Sequence, residues 1–260
     1  MAIRISDKNR REMDPSRDFA KSVPVTQRYC ILSSPRSGST LLSRMLYETK
    51  LAGDPQEYFN PPIIQLATEQ AGKKTLQLNE YLKLMESRRT SGNGVFGIKT
   101  HYSQLLSLFK VKQPNKQLVA FLSGFDQLIW IRRRDRLMQG ISQAIAQQTQ
   151  VWSSEDSRHG STDDVEIHPY ACLHAARLIA GDDFGWERLI QAAKLNVLTV
   201  WYEDLVGDYE AQSRRVLEHL KISDQVDQIP EPPLQKQGGE LNEKIHANLL
   251  RYLGLSEEVK

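Results

Sequence analysis

The stretch YCILSSPRSGSTLLSRML, Tyr29 to Leu46, constrains the fold more than any other part of the chain. It opens as a short apolar run without polar alternation, the pattern of a strand buried on both faces of a parallel sheet. It then passes through a turn of Ser and Gly and continues with Leu41, Leu42, Met45 and Leu46 at helical spacing. A strand feeding a tight turn and a helix aims backbone N–H groups and the helix N-terminus at one point, which suits an anion. Gly38 lets the backbone approach phosphate oxygens, and Ser37, Ser39 and Thr40 offer hydroxyls. Arg36 adds a fixed charge with a paired donor geometry. The nucleotide triphosphatase pattern G-x-x-x-x-G-K-[ST] is not met, because Ser39 stands at the lysine position and a serine replaces the leading glycine. Such a loop reads β- and γ-phosphates poorly and suits a single terminal phosphate. Plain helix capping would also account for SGST; the buried strand in front favours the phosphate.

Further strands are expected at VFGIKTH, QLIWIRR and NVLTVWYEDL. Helices are expected from about Ser39 to Lys50, over 63–89 with a break near Gly72, and around 102–110. Others follow Asp135 as N-cap, cover 170–193 with an interruption near AGDDFG, fill DYEAQSRRVLEHLKI, and end the chain at 240–253. Strands alternating with helices predict an α/β fold: a P-loop-like single domain with a central, mainly parallel sheet flanked by helices. Residues 1–27 are polar and of mixed charge, and read as an extended or partly disordered N-terminal arm; residues 28–260 read as the domain.

A net charge of only +2 argues against a general nucleic-acid partner. No apolar stretch approaches the ~18 residues of a membrane span, and the N-terminus has no apolar signal region. Cys30 and Cys172 lie far apart, so no disulfide framework is expected, and Cys30 reads as a small buried hydrophobe. These features together point to the cytoplasm. Cys172 with His168 and His174 lacks the second ligand pair of a zinc site, so no metal is expected there.

A second basic constellation is IWIRRRDRLMQGISQ. Arg132, Arg133 and Arg134 stand at the end of an apolar strand, where open parallel sheets bind ligands. Ser142 follows Arg134 by eight residues, two turns along the next helix. A solvated basic face would also read this way. Two separated anion sites on one sheet suit a nucleotide phosphorylated at two places.

The ordered strings SSPRSGSTLL, GDPQEYFNP, VFGIKTHYSQL, IWIRRRDRLMQGISQAIAQQTQVW and VWYEDL span about residues 29 to 205. As a set the chain resembles the sulfotransferases that use 3′-phosphoadenosine 5′-phosphosulfate (PAPS), and is most similar to the bacterial trehalose 2-sulfotransferase family. The resemblance implies that Pro35, Arg36, Ser37, Gly38, Ser39, Thr40 and Leu41 hold the 5′-phosphosulfate, with Arg36 at the bridging oxygen. It implies Arg134 and Ser142 on the 3′-phosphate, with Arg132 as the competing choice, and Lys236 as a further basic contact to the nucleotide. It also implies Glu57 as the base that takes the proton of an acceptor hydroxyl.

His101, at the end of GIKTH, is the other candidate base or an acceptor contact, and Lys99 and Trp152 are candidate substrate contacts. Ordinary structural roles compete for all three. The expected acceptor is a sugar or glycolipid hydroxyl, trehalose by the nearest resemblance. The expected product is adenosine 3′,5′-bisphosphate, no metal is required, and the family's habit implies a homodimer. Two rivals stand beside this reading. One is a P-loop small-molecule kinase, with Glu203 and Asp204 as magnesium-binding acids. The other is a nucleotide-binding module without catalysis.

Overall fold

The computed structural model describes residues 5–20, 22–153, 165–232 and 239–255. Strands β1 (Gln27–Ser33), β2 (Val95–His101), β3 (Gln127–Arg132) and β4 (Val197–Trp201) form one parallel sheet in the order β2-β1-β3-β4. Cys30 and Leu32 face one side with Phe96, Ile98, Leu128 and Trp130. Tyr29 and Ile31 face the other with Val95, Ile129, Ile131 and Val200. Both faces are covered, which is why the strands read as continuous apolar runs rather than alternating ones.

The connection from β1 leads to β2 on one side, and that from β3 leads to β4 on the other. The crevice beyond the strand ends therefore opens between β1 and β3, at the topological switch point. Helix α2 (Ser39–Glu48) starts there after β1, and α7 (Arg136–Thr149) starts there after β3, capped by Asp135 Oδ1 on the Met138 N–H at 2.9 Å.

Several expectations shift. The first 27 residues are not simply extended: α1 (Asp7–Glu12) carries a capping box between Ser6 and Asn9, and Met13 is wholly buried in the core. The break expected near Gly72 is present, between α3 (Pro61–Gln70) and α4 (Leu78–Arg89). The segment after β2 forms α5 (Tyr102–Leu108), and α6 (Lys116–Leu122), absent from the sequence reading, precedes β3. Helix α8 (Pro169–Ala192) runs unbroken through AGDDFG. Its Gly185 is a close-contact residue, since a Cβ there would meet the Tyr102 ring. A mid-helix glycine costs only ~1 kcal/mol, which burial of the helix face offsets. The last strand ends at Trp201, and YED opens α9 (Tyr202–Gly207), followed by α10 (Tyr209–His219) and α11 (Glu240–Tyr252).

A buried ion network locks the N-terminal segment to the domain. Asp54 accepts from Arg17 Nε and Nη2 at 2.9 and 2.6 Å, from Arg89 Nη1 at 2.7 Å, and from Gln56 Nε2 at 2.8 Å. Asp54 and Arg89 are inaccessible to solvent. Cys30 and Cys172 are free thiols, both buried, and burial pushes the Cys172 thiol up to about 11.

Candidate active site

The loop after β1 is built to hold an anion. Arg36 and Gly38 have φ of +60° and +86°, so left-handed residues stand on both sides of Ser37 and turn loop N–H groups to one side. Gly38 is the N-cap of α2 and supplies no side chain to its first-turn N–H groups. A Cβ on Gly38 would run into the Tyr202 ring. The Ser37 hydroxyl is buried and has no hydrogen-bond partner among the described residues. An orphaned donor beside a glycine cradle fits an anion with phosphate-type oxygens. From α7, Gln139 braces the loop, its Nε2 donating to Ser34 Oγ at 3.1 Å and to the Pro35 carbonyl at 2.7 Å.

Arg36 crosses the crevice. Its Nε donates to Ser142 Oγ at 2.9 Å and its Nη1 to the Trp152 carbonyl at 2.6 Å. Ser142 thus meets Arg36. Arg134 does not join them: its guanidinium lies on Asp204 at 2.6 and 2.8 Å, half exposed. Arg132 stacks between the Trp130 and Trp201 rings, 3.9 and 4.8 Å from their centroids, and Arg133 lies over Tyr202 at 4.8 Å. Glu203 accepts from the Arg134 and Asp135 N–H groups, so both acids of the YED string are tied to the turn after β3. Leu41 turns its side chain to the apolar cluster under α2, leaving only its backbone near the loop.

The second half of the site sits at the end of β2. Gln56 forms an isolated parallel bridge with Ile98, and its carbonyl accepts the Lys99 N–H at 3.0 Å. That rung sets Glu57 beside Lys99 and His101. Lys99 Nζ lies 3.3 Å from Glu57 Oε1 and 3.3 Å from Thr40 Oγ1, joining the base candidate to the anion loop. Glu57 Oε2 accepts from Gln104 Nε2 at 2.9 Å and lies 3.5 Å from His101 Nε2. The other His101 nitrogen, Nδ1, is 2.9 Å from Ser33 Oγ. Lys8, from α1, stands 3.4 Å from Glu57 Oε1.

Burial by itself would raise the Glu57 carboxyl, but Lys8, His101, Lys99 and the Gln104 amide together hold it well below the usual carboxylate range. Burial lowers Lys99 more than the Glu57 charge restores it, and repulsion from the Lys8 charge lowers it further. Burial likewise lowers His101, against the neighbouring Glu57 charge, which raises it. Loop, carboxylate and imidazole share one cleft of ≈ 340 Å³, walled by Arg36, Thr40, Glu57 and His101 and closed by Lys8 and Trp152.

Lys236 and most of the 153–168 loop fall outside the described residues. His168 caps α8 by accepting the Tyr170 N–H at 3.1 Å, and His174 stacks on Tyr170. Among the described residues no group of three His, Cys, Asp or Glu side chains is placed to hold a metal ion, and no helix is long and apolar enough to cross a membrane.

The pattern of the Stf0 sulphotransferases matches residues 28–248. The chain belongs to the Stf0 sulphotransferase family. Trehalose 2-sulfotransferases of Mycolicibacterium smegmatis and Mycobacterium tuberculosis are each 27% identical to it, over 252 and 247 residues, covering 83% of this chain and 91% of theirs. Among solved structures, the sulfotransferase domain from the curacin biosynthetic pathway aligns with TM-score 0.46 and 15% identity, over 92% of this chain and 94% of that one. A sulfotransferase from Alicyclobacillus acidocaldarius aligns with TM-score 0.45 and 12% identity, over 90% and 98%.

In this Stf0 sulphotransferase, three participants in the site escaped the sequence reading: Lys8, Gln104 and Gln139. The capping box at Ser6–Asn9 was the available signal that the N-terminal segment forms structure. Nothing in the sequence ties Gln104 or Gln139 to their partners, which arrive through sheet pairing.

Proposed function

We propose that this sulphotransferase moves the sulfuryl group of PAPS to a hydroxyl of a carbohydrate acceptor, trehalose or a trehalose-bearing glycolipid, with Glu57 as the base. The observation that carries the reading is the Lys99 bridge, which sets the Glu57 carboxylate and the 35–40 loop in one cleft. Bound at the loop, PAPS would supply the sulfuryl group and leave as adenosine 3′,5′-bisphosphate.

The loop N–H groups and the Ser37 hydroxyl hold the 5′ end of the nucleotide. Arg36 and Lys99 stabilise the negative charge that grows on the departing phosphate oxygen. Glu57, anionic across neutral pH, takes the proton from the acceptor hydroxyl as that oxygen attacks in line. His101, anchored on Ser33, positions the carboxylate and lines the acceptor side. Ser142 with Arg134 or Arg132 reads the 3′-phosphate, and Lys236 adds a further contact. For Arg134 this role requires release from Asp204. No metal enters the scheme, since arginine, lysine and backbone dipoles supply the positive charge. A homodimer rests on the family resemblance alone, and a cytoplasmic location on the cysteine usage and the apolar pattern of the sequence.

The test is incubation with PAPS, EDTA and a panel of mono-, disaccharides and glycolipids, with sulfated product read by mass spectrometry. Product formed despite EDTA supports the reading. A phosphorylated product that requires ATP and magnesium overturns it, and tight binding of the bisphosphate without turnover on any acceptor favours a binding module.

A further inference from the structure

Both oxygens of Glu57 are engaged. An ionised carboxylate offers about four acceptor positions. Gln104 and Lys8 donate hydrogen bonds, to Oε2 at 2.9 Å and to Oε1 at 3.4 Å, while His101 stands 3.5 Å from Oε2 and Lys99 3.3 Å from Oε1. An acceptor hydroxyl therefore competes with these groups for the carboxylate.

The four are not equally fixed. Lys99 and His101 belong to β2 and Gln104 to α5, and the Lys99 side chain is 0% exposed. Lys8 belongs to the short helix α1, and its side chain is 18% exposed and lines the cleft. It also has a second carboxylate within reach: Glu12, one turn along, lies 3.6 Å away through Oε1 and has a buried Oε2 with no hydrogen-bond partner. Arg36 faces Lys8 across the cleft and repels it. Lys8 is thus the partner that leaves Glu57 at least cost. The family match begins at residue 28, so the assignment to the family says nothing of α1.

We propose that Lys8 is a positioning residue that sets acceptor affinity: its ammonium group occupies the place of the acceptor hydroxyl on Glu57 Oε1, and it turns to Glu12 when the acceptor enters. The proposal rests on Glu57 being the base. The charged and titratable groups around the exchange are Lys8 and Glu12 from α1, Lys99 and His101 from β2, and Arg36 from the loop after β1.

Lys8→Met keeps the aliphatic stem and removes the competitor. Its acceptor KM is expected to fall about fivefold, the order set by one partly screened ion pair, with donor KM unchanged. The acid limb of its kcat/KM profile should move up toward the ordinary glutamate range. Lys8→Arg keeps a cation and should retain the wild-type limb and KM. An acceptor KM that stays or rises in Lys8→Met, a limb that does not move, or a parallel change in both KM values overturns the proposal.

A readout without turnover separates this idea from the sulfuryl-transfer reading. Labelling of Glu57 by a water-soluble carbodiimide, followed by peptide mass spectrometry, should be faster in Lys8→Met than in wild type or Lys8→Arg. Equal labelling in all three overturns the role of Lys8, whether or not any acceptor is sulfated.

Discussion

Arg36 donates from Nε to the Ser142 hydroxyl at 2.9 Å, across 106 residues of chain. The contact ties the loop after β1 to the helix after β3 across the switch point. Removing the guanidinium takes away both this tie and a charge aimed at the cleft. Arg36→Ala is expected to lower kcat by ~10²–10³. Lysine should not restore it, because an ammonium cannot span Ser142 and the Trp152 carbonyl in a fixed plane. Ser142→Ala should weaken bisphosphate binding by roughly tenfold or less, since one hydrogen bond is lost, measured by titration calorimetry.

Glu57→Gln keeps the shape and removes the proposed base. Its kcat should drop by ~10²–10⁴ while bisphosphate affinity stays unchanged. In the proposed mechanism the ionised form is the active one, and its folded pKa is depressed. The acid limb of kcat/KM is therefore expected below the ordinary glutamate value of about 4.3. Stability follows the same sign. A depressed carboxylate contributes fully above its unfolded pKa and loses that contribution as pH falls through the folded one. The Tm gap between wild type and Glu57→Gln should be constant above about pH 5 and close below about pH 4.

Asp54 neutralises two arginines in the dry interior. Asp54→Ala strands Arg17 and leaves Arg89 only Asp18 as a carboxylate partner, and a loss of about 3–5 kcal/mol is expected in urea unfolding. The same change should lower turnover beyond what the stability loss explains, because Asp54 holds Gln56, whose backbone sets Glu57.

Gly38→Ala meets two separate obstacles, the positive φ and the Tyr202 ring. The backbone part costs about 1–3 kcal/mol. Adding Tyr202→Ala relieves only the ring contact, so the double variant should recover part of the stability and part of the bisphosphate affinity. Full recovery would show that φ does not matter at this turn.

The strand–turn–helix at 29–46 was legible because its signals are local: an apolar run, then small residues, then helical spacing. Glu57, Lys99 and His101 were legible as chemistry-bearing residues on short strings. Their convergence depends on the register of β1 and β2, which pairs Ser33 with His101 and carries no signature in the sequence. The arginine run shows the limit most plainly. Charge alone could not separate Arg132, stacked on tryptophans, from Arg134, paired with Asp204. Composition also misled at the N-terminus: a polar stretch lacks an apolar stripe, so α1 was invisible except for its cap, and its anchor is the buried Arg17–Asp54 pair.

The single rung between Gln56 and Ile98 has a consequence for solubility as well as for chemistry. Strand β2 is an outer strand, and an outer strand with unmet N–H and C=O groups invites a foreign chain to pair with it. The 54–58 turn occupies that edge and satisfies the Lys99 amide there. Substitutions that loosen this turn would therefore uncover a template for self-association along with dislodging a carboxylate, so inactive variants in this turn are expected to be aggregating ones too.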